Sequence, residues 1–139
     1  MERCQLKKQN KQSKSSKEKV LTPNQLCKLV KSWQETLSMC DWAASAAYAA
    51  PKEMMKEHVI GMCMPDQEHK QFKVVMLHPK HYEGAGYVYT LRDFEHTLVH
   101  EILHAQLDCL DIPQTRTREL EQVINLTAEA LLYLKYSGK

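Results

Sequence analysis

The sequence predicts one α+β domain, in which helices pack against a small, mainly antiparallel sheet. Apolar residues recur at helical spacing near both ends of the chain, whereas the middle holds two short apolar runs separated by a polar stretch. A length of 139 residues fits a single domain. We therefore expect one domain over residues 21–139, preceded by a basic tail over residues 1–20.

The tail is rich in Lys, Gln and Ser. It holds seven Lys or Arg residues against two Glu, whereas the remaining residues carry a net charge of −3. Such a segment cannot bury enough apolar surface to offset the entropy lost on ordering, so we expect it to be disordered. A weak contact with nucleic acid is the alternative role, although no aromatic residue is interleaved to strengthen it.

Composition also bears on the compartment. No apolar run approaches the roughly 18 residues of a membrane span, and the start of the chain lacks the apolar stretch of a secretory signal. The five cysteines are odd in number and form no Cys-x-x-Cys pair. We expect a cytoplasmic protein that is not bound to a membrane, with reduced cysteines that mostly fill the core.

The first predicted element is an amphipathic helix that begins at Thr22-Pro23 and ends near Cys40. The next stretch, residues 42–50, suits a helix by its alanine content. It equally suits a strand with Trp42 and Tyr48 on one face, so both assignments stay open at this point.

Residues 59–64 and 72–77 are apolar runs rich in Val, Ile, Phe and Met, and the polar PDQEHKQ between them predicts a hairpin. A loop containing Pro79, Gly84 and Gly86 follows.

Two helices complete the chain. Thr90 and Asp93 resemble a capping box for a helix over residues 91–110, which Pro113 terminates. The last helix spans residues 117–136. Its expected inner stripe is Leu120, Val123, Ile124, Leu131 and Leu134.

The penultimate helix carries the run His100-Glu101-x-x-His104. Residues i and i+4 share a helix face, so both imidazoles can bind one metal ion. Glu101 lies about 100° further round, where its carboxylate can take a proton from metal-bound water. The alternative is a pair of core histidines that only form hydrogen bonds. We favour the metal site because the motif lies within an apolar helix, where unpaired imidazoles would be costly.

Zinc suits this motif because it is a Lewis acid without redox chemistry and brings the pKa of bound water towards about 7. A catalytic zinc site usually has three protein ligands, so a third is needed. Glu121, 17 residues beyond His104 and past the helix break, is the preferred choice, with Glu119 as the alternative. Asn125, one turn after Glu121, could hydrogen-bond a ligating imidazole. Asp108 is expected to be solvated or to cap the motif helix.

Other polar residues are weaker candidates. His96 extends the histidine face, but a fourth protein ligand would close the site, so we expect it near the ligands or at the surface. His81 or Tyr82 could donate a hydrogen bond to an oxyanion, although solvation in the loop after strand 72–77 is favoured for both, as for His78. That strand could hold an extended peptide if it formed a sheet edge above the metal.

The sequence HEILH, followed after a gap by Glu121 and Asn125, resembles the gluzincin arrangement of zinc peptidases. More broadly, residues 40–135 resemble the short metallopeptidases encoded by bacteriophages and prophages: a Trp-led strand at Asp41-Trp42, a strand pair, the motif helix, and an acidic helix ending in AEALL. The resemblance implies a minimal zincin-like core and favours a strand over residues 42–49. No residue matches the transition-state donors of larger thermolysin-like enzymes.

We therefore expect a zinc metallopeptidase that hydrolyses a peptide or protein substrate by metal-activated water, with Glu101 as general base. The alternative is a non-enzymatic module of a phage or prophage, in which zinc stabilises the fold for binding or regulation.

Overall fold

The structure is a computed structural model that describes residues 18–56 and 59–138. Within those residues the fold is α+β, with three α-helices and one three-stranded sheet, which confirms the predicted class. In chain order the elements are α1 (Pro23–Thr36), β1 (Ala43–Ala49), β2 (Gly61–Asp66), β3 (Gln71–Leu77), α2 (Leu91–Leu107) and α3 (Thr117–Ser137).

Most of the predicted tail, residues 1–17, lies outside the described residues. Two of its described residues, Glu18 and Lys19, contact the chain at the start of α2. Glu18 accepts a hydrogen bond from the backbone N–H of Leu91 at 2.5 Å, and the carbonyl of Lys19 accepts one from the Tyr89 hydroxyl at 3.0 Å.

Helix α1 begins where the sequence predicts. Thr22 and Gln25 form a reciprocal capping box, with Pro23 in the first turn. The predicted end near Cys40 is wrong, because the chain leaves the helix after Thr36 and Ser38 adopts a left-handed φ of 58°. Apolar spacing continues past that turn and therefore could not reveal it.

The sheet has the strand order β1-β3-β2. Strands β2 and β3 form the predicted antiparallel hairpin, with Gly61 opposite Met76. The alanine-rich stretch that suited either a helix or a strand forms strand β1. This strand pairs with β3 in parallel, from Ala43 opposite Gln71 onwards. The sheet is therefore mixed, and the expected mainly antiparallel arrangement is wrong, because β1 lies beside β3 instead of β2.

Helix α2 is the central element. It packs against the sheet through β2 and β3 on one side and against α3 on the other. Thr90 caps it by accepting a hydrogen bond from the Asp93 N–H at 3.1 Å. The helix ends at Leu107 instead of residue 110. Its buried side chains, each at most 3% exposed, are Phe94, Leu98, Val99, Ile102 and Leu103, together with Glu95 and Ala105.

Helix α3 packs through a narrower face than predicted. Ile124, Ala128 and Leu132 are fully buried, and Leu120 and Leu131 are half-buried. Val123 and Leu134, which were placed on the inner stripe, are 55% and 67% exposed. The error has a physical cause: α3 has apolar residues on opposite sides, so spacing alone does not identify the side that meets α2.

The C-terminal half of α3 is tied to α2 by a buried carboxylate. Glu95 is 1% exposed. It accepts hydrogen bonds from the Lys135 ammonium, at 3.0 Å to one oxygen and closer to the other, and from the Tyr136 hydroxyl at 2.9 Å. These hydrogen bonds join the C-terminal part of α3 to the first turns of α2.

Two expectations from composition can be compared with the structure. Within the part of the chain that is described, no α-helix has the length and apolar character needed to cross a bilayer. Cys27, Cys40 and Cys109 are exposed and Cys63 is half-buried. The expectation that cysteines mostly fill the core is therefore wrong for Cys27, Cys40 and Cys109, whereas Cys63 packs against the core.

Candidate metal centre

Packing of α2 orients both motif histidines towards α3. Val99, Ile102 and Leu103 are buried, and this fixes the rotation of the helix about its axis. His100 and His104 follow one another on the side that faces α3, with their Nε2 atoms 3.2 Å apart. Their side chains are only 14% and 28% exposed, so the two imidazoles converge in a partly enclosed space.

Helix α3 places one carboxylate against both rings. Oε2 of Glu121 lies 3.0 Å from Nε2 of His100, and Oε1 lies 2.8 Å from Nε2 of His104. Each residue offers a ligand atom within 4.8 Å of the others, and among the described residues this is the one such cluster of three or more metal-binding side chains.

Asn125 determines which nitrogen of His100 is available. The amide Oδ1 lies 2.8 Å from Nδ1 of His100, and because an amide oxygen only accepts, Nδ1 carries the proton. Burial lowers the pKa of His100, which favours the neutral ring. A neutral ring protonated at Nδ1 directs the Nε2 lone pair at the Glu121 carboxylate. Two facing lone pairs are unfavourable unless a cation is shared between them.

The distances fit a small divalent ion. With metal–ligand bonds of about 2.0–2.1 Å and tetrahedral angles, neighbouring ligand atoms lie about 3.3 Å apart. The two Nε2 atoms lie 3.2 Å apart, slightly below that value, and each has a different Glu121 oxygen beside it: Oε2 lies 3.0 Å from His100 and Oε1 lies 2.8 Å from His104. A side-chain adjustment that brings one of these oxygens near both Nε2 atoms would complete three corners of a tetrahedron.

Glu101 lies on the side of α2 that faces the sheet. A Cβ built on Gly61 of β2 would lie 3.4 Å from its Cγ, so the carboxylate side chain packs against the β2 backbone. Burial raises the pKa of Glu101 to about 7, and the nearby Glu121 carboxylate adds to the effect. Glu101 is therefore a carboxylate whose proton affinity suits proton transfer near neutral pH.

A cleft of about 410 Å³ lies between α2 and β2. Glu101 and His104 line it from α2, and Asp108 lines it at the end of that helix. Its opposite wall was not predicted from the sequence. That wall consists of Met55, Lys56, Val59, Gly61, Met62, Cys63 and Pro65. No local signal could have identified these residues, because their role depends on which strand packs beside α2.

The alternative ligands lie elsewhere. Glu119 faces Arg116, 3.7 Å away, and its side chain is 55% exposed. His96 lies 3.7 Å from Glu129 of α3 and is absent from the cluster. Of Glu119 and Glu121, it is therefore Glu121 that contacts both histidines.

The loop after β3 does not join the cluster. His78 accepts a hydrogen bond from the Lys80 N–H at 3.1 Å and packs against Tyr48, with ring centroids 4.7 Å apart. His81 lines a separate pocket, and Tyr82 is 4% exposed. Strand β3 is central in the sheet, so the edge beside the motif helix is β2 and not the strand named from the sequence.

No protein-family model, no curated protein and no solved structure matches this chain.

Proposed function

We propose that this protein is a zinc-dependent peptidase. His100, His104 and Glu121 are the metal ligands, and Glu101 is the general base. The observation that carries the proposal is the convergence of two Nε2 atoms and both oxygens of one carboxylate within 3.2 Å, beside a cleft lined by Glu101.

The ligand types favour zinc. Two imidazoles and one carboxylate, with no thiolate in the cluster, are typical of catalytic zinc sites that keep one position open. The same donors also suit Fe(II) in oxygenases. Zinc is preferred because Glu101 directly follows a ligand histidine and lines the cleft, as hydrolysis requires and oxygen activation does not.

Zinc bound there would polarise a substrate carbonyl and lower the pKa of a water molecule. Glu101 would accept the proton of the attacking water and deliver it to the leaving nitrogen. Asn125 would hold His100 in the tautomer that directs Nε2 at the metal. Glu121 would offset part of the positive charge.

Strand β2 lines the cleft and could bind an extended peptide substrate along its free edge. It pairs with β3 along one side, and in the order β1-β3-β2 its other side is a sheet edge. An extended peptide can add to such an edge through backbone hydrogen bonds. Pro65 lacks an N–H, so pairing would be concentrated at residues 61–64.

We also propose that α2, α3 and the sheet form a minimal zincin-like core, similar to the phage and prophage metallopeptidases. The support is the arrangement of the motif helix between a sheet edge and a second helix that carries Glu121.

The test compares the wild-type protein with Glu101→Gln and with Glu119→Gln as a matched control on α3. We expect one zinc per chain in all three by elemental analysis, which also distinguishes zinc from iron. Cleavage of a broad peptide library should be lost only in Glu101→Gln, with a decrease of at least about 100-fold. Zinc-loaded wild type without cleavage would contradict the peptidase proposal.

A second function is favoured by the narrow contact of α3. Only Ile124, Ala128 and Leu132 of that helix are fully buried, so an ion between α2 and α3 could stabilise the fold without catalysis. In that case zinc would raise the melting temperature strongly, and Glu101→Gln would behave like wild type in every assay. Any binding to DNA would then depend on residues 1–20 and decrease steeply with salt.

A further inference from the structure

One face of α3 is apolar and exposed. Val123, Leu126, Tyr133 and Leu134 are 55%, 65%, 64% and 67% exposed, and Ala130 between them is also exposed. We call Val123, Leu126, Ala130 and Tyr133 the α3 seam. Isolated apolar side chains at a surface are ordinary, but a contiguous row along one helix marks an interaction surface.

The seam lies opposite the face that packs on α2. At 100° per residue, its four members fall within a sector of about 80°. The centre of that sector is about 180° from the centre of the buried residues Ile124, Ala128 and Leu132. Among the described residues, α3 packs mainly on α2, and Lys135 near the end of α3 lies over the Trp33 ring of α1. The exposed fractions of the seam residues show that none of these contacts covers the seam.

The spacing within the seam is that of a helix pair. Steps of three, four and three residues give the a and d positions of a coiled coil, with Val123 and Ala130 at a and Leu126 and Tyr133 at d. Apolar residues scattered over a surface would not be expected to alternate at spacings of three and four residues. The pattern points to another helix as the occupant.

The seam is complementary to itself when two copies run antiparallel. A two-fold axis at residue 128 sets Leu126 opposite Ala130 and Val123 opposite Tyr133, so each large side chain meets a smaller one. Leu134 of one copy then flanks Leu120 of the other. Glu129 lies near the axis, where it would face its own copy, but it is paired with Arg92 at 3.4 Å.

We propose that the α3 seam is a homodimer interface formed by antiparallel α3 helices. The exposed side chains of the seam and of Leu134 beside it present on the order of 400–500 Å² of surface, compared with about 800 Å² per partner in a standard interface. Flanking residues supply the remainder, and the dimer is therefore of moderate affinity and dissociates on dilution.

The test measures molar mass by light scattering or sedimentation over a range of concentrations. Wild type should approach twice the protomer mass at high micromolar concentration and fall towards the protomer mass on dilution. Leu126→Gln should remain monomeric throughout. Leu110→Gln is the matched control, because Leu110 is 53% exposed but lies outside the seam, and it should dimerise like wild type.

Zinc content and circular dichroism show that each variant is folded. The seam points away from Glu121 and Asn125, so Leu126→Gln should keep the metal content of wild type. Monomeric wild type at every concentration would overturn the proposal, as would a Leu126→Gln dimer of unchanged affinity. Monomeric wild type that binds lipid vesicles or a foreign helix through the seam would assign the surface to that partner instead. None of these outcomes alters the test of peptidase activity.

Discussion

Gly61→Ala tests how closely β2 packs against the motif helix. A Cβ at this position would lie 2.8 Å from Cγ2 of Thr97, 3.1 Å from Sδ of Met76 and 3.4 Å from Cγ of Glu101. Glycine therefore allows the strand to approach α2 directly beside Glu101. The substitution should force β2 and α2 apart.

The magnitude follows from the overlap. Carbon atoms in good contact are about 3.5–4.0 Å apart, so the Thr97 contact is too close by at least about 0.7 Å. Overpacking of this kind usually costs about 1–3 kcal/mol of unfolding free energy. For a domain of this size, each kcal/mol shifts the melting temperature by roughly 3–4 °C. We therefore expect a decrease of about 3–12 °C.

A second substitution should reverse most of this loss. Thr97→Ser removes Cγ2 and keeps the hydroxyl, which donates to the Asp93 carbonyl at 3.2 Å. Thermal unfolding of the two single variants and the double variant gives their coupling energy. Gly84→Ala is the control, because a Cβ there meets nothing within 4 Å. If Gly61→Ala were as stable as Gly84→Ala, or if Thr97→Ser gave no rescue, the close packing of β2 on α2 would be refuted.

Three further outcomes are expected. Asn125→Ala should weaken zinc affinity about 10–100-fold in a chelator competition, because His100 loses the partner of its Nδ1. Leu98→Ala should lower the unfolding free energy by about 2–5 kcal/mol in a denaturant titration, since Leu98 is 0% exposed. Burial, helped by nearby carboxylates, raises the pKa of Cys63 to about 12, so mass spectrometry should show much slower alkylation of Cys63 than of exposed Cys27 near neutral pH. Equal rates would contradict the burial of that thiol.

The features predicted from the sequence are those with local causes. The helix starts at Thr22-Pro23 and at Thr90 depend on neighbouring residues in the chain, and the structure shows both. The approach of His100 to His104 needs only an α-helix. The position of Glu121 past the helix break, with Asn125 one turn later, favours it over Glu119, and the structure brings Glu121 to the histidines.

The features that could not be predicted depend on contacts distant in the chain. Strand β1 could have paired with either member of the hairpin, and its alanine-rich sequence does not distinguish them. The cleft wall around Gly61 exists because β2, rather than β1, lies beside α2. On α3, Val123 has the same apolar character as its buried neighbour Ile124, so only the packed structure shows which of the two meets the core.

The attachments of α3 to α2 differ in kind between the two ends of α3, and this has a consequence for removal of the proposed metal. Near the C-terminus the helix is anchored by Lys135 and Tyr136 on Glu95, which needs no added ion. Near the N-terminus it is anchored through Glu121, whose carboxylate faces the two histidines. A chelator should therefore release the first turns of α3 and leave the last turns in place. Amide hydrogen exchange would then accelerate around residues 117–122 and stay slow around Leu132.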